Sequence, residues 1–97
     1  MENRAHIDEA AYSRTSTERL QQLASDADAA VRWYVAENPQ TPSDALALLA
    51  LDIDASVQQA ALDALQTRQT LRMLFRKRLE RDASHLVVSA DNNGSPS

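Results

Sequence analysis

Ninety-seven residues without a cysteine rule out disulfides, thiolate metal sites and thiol nucleophiles, and bound the chain to one small domain. One glycine, three prolines and an apolar content carried by Ala, Leu and Val, with no strand-like alternation, point to an all-α fold. The net charge of −4 hides a division: residues 1–67 set four arginines against eleven acids, −7, and residues 68–82 set Arg68, Arg72, Arg76, Lys77, Arg78 and Arg81 against Glu80 and Asp82, +4.

The first ten residues lack the apolar core of a signal peptide, and no segment approaches bilayer length, so the expectation is a soluble cytoplasmic protein with no membrane partner. Residues 5–14 read as a half repeat with Ile7, Ala10 and Ala11 on its apolar face. Thr15-Ser16-Thr17-Glu18 has the form of a capping box and opens a short helix carrying Leu20, Leu23 and Ala24. Asp26-Ala27-Asp28 closes that helix and starts another, since short carboxylates bond back to nearby backbone donors. The next helix presents Val31, Val35 and Ala36 to the core and is stopped by Asn38-Pro39.

The same text then returns 26 residues on. Thr41 is placed as N-cap, Pro42 at the first helical position and Asp44 at the third, ahead of Leu46, Leu49 and Ala50. Asp52-Ile53-Asp54 repeats the turn, and Val57, Ala61 and Leu62 are expected to be buried after it. Here Ala64-Leu65 replaces the Asn-Pro stop. With no Gly or Pro from Ala55 to Asp82, the spacing of Leu71, Leu74, Phe75 and Leu79 favours one long helix over two kinked near residues 67–70. The organisation expected is therefore a single helical-repeat domain over 1–82, with a half repeat 5–14, repeats 15–40 and 41–66, a capping basic helix to 82, and a flexible tail 83–97.

The run Leu20, Leu23, Ala24, Asp26, Asp28, Val31, Arg32, Val35, Ala36, Asn38, Pro39, Thr41, Pro42 resembles, in order, the bacterial leucine-rich repeat variant family over roughly residues 5–65. The resemblance implies a short right-handed α-solenoid of the HEAT and armadillo kind, closed here by the long C-terminal helix. One founding member type carries a cysteine-bound iron–sulfur cluster beside its repeats. Without cysteine that function does not carry over, and no cofactor is expected.

Function has fewer signals. Trp33 stands where the sister repeat has Gln59, and Arg32 where it has Gln58, so Trp33, Tyr34 and Arg32 are the candidates for partner contact, with internal packing the competing reading for Trp33. Arg68, Arg72 and Arg76, with Lys77 and Arg81, form a charged flank that suits an acidic protein, a phosphate backbone, or a solvated face offsetting the acidic repeats. The paired aspartates recur at one structural junction, which marks them as caps and not as catalytic or metal-binding carboxylates. His6 and His85 have no companion ligands, and no serine has a visible base. The expectation is a non-enzymatic protein-binding adaptor, regulator or inhibitor. Its alternative is nucleic-acid binding through helix 68–81, and the open edges of so short an array offer a route to a homo-oligomer.

Overall fold

The computed structural model describes residues 4–94, with side chains described for residues 4–82. Five helices follow one another: α1 (Arg4–Ala11), α2 (Thr17–Leu23), α3 (Ala29–Glu37), α4 (Ser43–Leu49) and α5 (Ala55–Gly94). The 26-residue register of the sequence reappears in their bounds. α4 starts and ends 26 residues after α2, and α5 starts 26 residues after α3.

The turns obey the same register. Ser25 N–H donates to Gln22 O and Asp26 N–H to Leu23 O, as Leu51 does to Leu48 and Asp52 to Leu49. This fold is a short α-solenoid, built by writing one helix–turn–helix device twice after a leading helix.

The chain divides into two compact units, Met1–Thr67 and Arg68–Ser97. In the first, Ala10, Leu20, Leu23, Val31, Val35, Ala36, Leu46, Leu49, Val57, Ala60 and Ala61 form one core, so every helix from α1 to the start of α5 contributes to it. Each fully buried Leu or Val adds about 1.5–3 kcal/mol by leaving water, which seven- to nine-residue helices need because alone they would not hold. α5 reads as one helix and not two, consistent with the loss of the Asn-Pro stop.

Several sequence expectations change. Leu62 is 46% exposed, and Ala60 takes the buried place assigned to it. Ala11 is exposed, leaving Ile7 and Ala10 as the inward residues of α1. Thr41 is not a helix cap: Pro42 holds that position with no side-chain bond, and Ser16, not Thr15, caps α2 by accepting from Arg19 N–H.

The threonines do something else. Thr15 Oγ1 donates to Glu9 O and Thr41 Oγ1 to Val35 O, both at 2.6 Å, tying each helix end to the chain leaving it. The backbone of α5 continues past residue 82 to Gly94, where the sequence reading ended the helix and began a tail. Residues 95–97, and the side chains of His85 and Leu86-Val87-Val88, lie outside the described residues.

Candidate functional site

The Asp-x-Asp turns are where the repeat meets its neighbour. In each, the first aspartate accepts from the backbone N–H of the second at 2.9 Å, and the second caps the next helix by accepting from an N–H two residues on, also at 2.9 Å. That leaves the outer oxygen of each first aspartate free to bind across the repeat. His6 Nδ1 lies 2.8 Å from Asp26 Oδ2, and Arg32 Nε lies 2.8 Å from Asp52 Oδ2. Both pairs are 20 residues apart, and His6 and Arg32 are themselves one period apart. A basic residue facing the next turn's aspartate is thus a recurring clamp.

Arg32 is the stronger version. Its Nη2 also donates to Asp52 Oδ1 at 3.0 Å, and its Nη1 donates to the carbonyls of Asp26 and Ala27 at 2.8 and 3.2 Å. The pair is largely enclosed, with side chains 14% and 9% exposed. The Arg32 guanidinium holds the Asp52 carboxyl below its usual range, and Asp52 raises Arg32 in return. Arg32, grouped with Trp33 and Tyr34 from the sequence, is therefore committed to bonds within its own chain.

Trp33 and Tyr34 stay together. Their rings meet edge to face with centroids 5.0 Å apart at 89°. Trp33 is half-buried and packs against the core, whereas Tyr34 is exposed. With Ala29, Ala30, Asp54 and Ser56 they line a shallow recess. The Asp54 carboxyl at its edge is held below its usual range, first by the Ser56 hydroxyl and then by the Val57 N–H, so it stays ionised.

A second recess lies between α2 and α4, lined by Gln21, Ala24, Ser25, Asp44, Ala45, Leu48, Leu49 and Asp52. The Asp52-Ile53-Asp54 turn borders both recesses, Asp52 on one and Asp54 on the other. Ile53 between them is 97% exposed, and Leu51 and Leu48 are 78% and 70% exposed. This aliphatic rim was missed by sequence reasoning, although a signal existed. One period earlier the same positions are Ala27, Ser25 and Gln22. Three small or polar residues have become large and apolar without becoming buried.

In the second unit, Arg72, Arg76, Lys77 and Arg81 are exposed. Arg68 is half-buried, and that burial pushes its guanidinium down from the ordinary value. Leu71, Leu74, Phe75 and Leu79 are also exposed. Among the described residues no helix is long and apolar enough to cross a membrane, and no three His, Asp or Glu side chains converge on a metal-sized site.

No curated protein and no solved structure matches the chain. A family does match over residues 29–54, from the first residue of α3 to the aspartate that caps α5, the stretch that holds both Arg32 and Asp52. That family is the leucine rich repeat variant, and it is this segment that is similar to its repeat.

Proposed function

We propose that this protein is a non-enzymatic adaptor or regulator that binds another protein along the rim formed by Leu48, Leu51, Ile53 and the Trp33–Tyr34 recess. The observation that carries this reading is the exposure of Leu48, Leu51 and Ile53, at positions where the preceding repeat has Gln22, Ser25 and Ala27. A fold that leaves these positions exposed, and fills them with small or polar side chains in the preceding repeat, has no internal need for large aliphatic ones there. Exposed apolar groups clustered beside an aromatic pair and ringed by carboxylates have the composition of an interface centre and its polar edge. Asp44 and Asp54 at the two recesses favour a partner that brings positive charge.

Arg32 serves this role indirectly, by fixing the turn that carries Ile53. The test is affinity capture with the wild-type chain against Ile53→Glu and Leu48→Glu, both exposed enough to leave the helical circular dichroism unchanged. Loss of captured proteins from the variants supports the reading; identical capture by all three chains overturns it.

A further inference from the structure

We infer that the partner seated on this rim is a second copy of the same chain, contributing the arginine-flanked apolar stripe of α5 between residues 68 and 82. The inference rests on the rim being a docking surface and names its occupant. Leu71, Leu74, Phe75 and Leu79 form that stripe by helical spacing, and all four are between 52% and 67% exposed, a second exposed apolar surface. At 100° per residue, Arg72 and Arg76 run along one side of the stripe and Lys77 and Arg81 along the other, while Arg68 and Arg78 fall among its apolar residues. The rim has the matching layout: aliphatic side chains at Leu48, Leu51 and Ile53, with a carboxylate in the recess on either side, Asp44 and Asp54.

Charge decides between the ways two copies could meet. Pairing α5 with α5 would bring two segments of +4 together, each with its cations beside the apolar seam. Pairing α5 with the repeats sets +4 against −7. The contact is head-to-tail, because the stripe and the rim are different surfaces, so each copy offers one of each. Nucleic acid would use the same arginines but leave Leu71, Phe75 and Leu79 with nothing apolar to meet.

The full-length chain tests this by light scattering coupled to size exclusion across a concentration series, and by cross-linking. The absence of native cysteine makes the second measurement clean. Wild type is expected to have a mass of two or more chains. Phe75→Glu and Ile53→Glu are each expected to reduce it to one, with helical circular dichroism unchanged, and Arg72→Glu with Arg76→Glu to weaken association about ten-fold, as does raised salt.

Mixing an Ile53→Cys chain with a Phe75→Cys chain under mild oxidation is expected to give mainly the mixed disulfide. A Phe75→Cys homodimer in its place, with Ile53→Glu still associated, would mean α5 pairs with itself and overturns the inference. So would a wild-type chain that stays monomeric at every concentration, or one that binds generic duplex DNA with a salt slope removed by the arginine changes and untouched by Phe75→Glu. A monomeric chain that still captures another protein in an Ile53-dependent way would overturn the second-copy assignment alone. Ile53→Glu leaving both association and capture unchanged would overturn the docking rim as well.

Discussion

Arg32 grips Asp52 through two guanidinium nitrogens, at 2.8 and 3.0 Å, and so joins α3 to the turn that closes the following helix. The geometry needs a planar fork. Lysine could reach one oxygen but could not hold both, nor keep the bonds to the Asp26 and Ala27 carbonyls. Arg32→Lys is therefore expected to cost about 1–2 kcal/mol, and Asp52→Asn about 2–3 kcal/mol because it leaves an enclosed guanidinium without its counter-charge. Urea unfolding measures both. A double-mutant cycle with no coupling between them would show that the pair does not act as a unit.

The same pair gives acid sensitivity with a definite sign. Arg32 lowers the Asp52 carboxyl in the folded chain, so the unfolded chain takes up that proton first. The stabilisation is complete above the unfolded aspartate value, about 3.9, and is lost as pH falls through the lowered folded value. Glu9, lowered by Arg19, acts in the same direction, but that pair is solvent-screened and adds little. Stability measured at a series of pH values below about 5 is expected to fall less steeply in Asp52→Asn than in wild type. Equal slopes would contradict the assignment.

Asn38 carries more than a helix stop. Its amide donates to Ala10 O at 2.7 Å and Tyr12 O at 2.9 Å, while its oxygen accepts from Gln40 N–H at 2.8 Å, all from a buried position. It stitches the end of α1 to the end of α3. Asn38→Ala strands two carbonyls and an N–H, and about 2–3 kcal/mol of destabilisation is expected by thermal or urea unfolding. Asn38→Asp is expected to be at least as damaging, since a carboxylate facing two carbonyls can donate to neither.

His6 is the leading helix's version of Arg32, one ring nitrogen where the inner clamp has a fork. His6→Arg is expected to stabilise the N-terminal junction by about 0.5–1 kcal/mol, because the planar fork of the new side chain brings a second donor toward Asp26. Slower amide exchange in α1 would accompany it. An unchanged midpoint and unchanged exchange would show that position 6 cannot place the longer side chain as position 32 does.

Much of the fold was legible because the repeat is spelled in residue types with narrow uses. Asp-x-Asp before a helix and Asn-Pro after one have few other meanings, and the expected starts of α4 and α5 fall within two residues of those observed. Thr41 misled because a hydroxyl can accept from the helix ahead or donate to the one behind. The donation to Val35 O prevails here. Leu62 is exposed against the expectation from the repeat because period alone does not say how wide a face the core covers, and small Ala60 fits closer to it. The rim was hidden for a related reason. Leucine and isoleucine look the same in a sequence whether buried or exposed, and only the comparison with Gln22, Ser25 and Ala27 sets them apart. Arg32 looked like a partner contact because its counter-charge is 20 residues away.

The clamp also explains why the array ends where it does. The residue one period after Arg32 is Gln58, and the residue one period after Asp52 is Arg78, so the next junction would have neither its base nor its acid. Residues 29–54, by contrast, contain both halves of a junction, beginning and ending at equivalent points of the helical text. They are a cassette. Pasting a second copy of 29–54 directly after Asp54 would lengthen the solenoid, with the copied aspartate taking over the bonds that Asp54 makes to Ser56 and Val57 across the cut, and its product would gain stability by one interface, as nearest-neighbour arrays do.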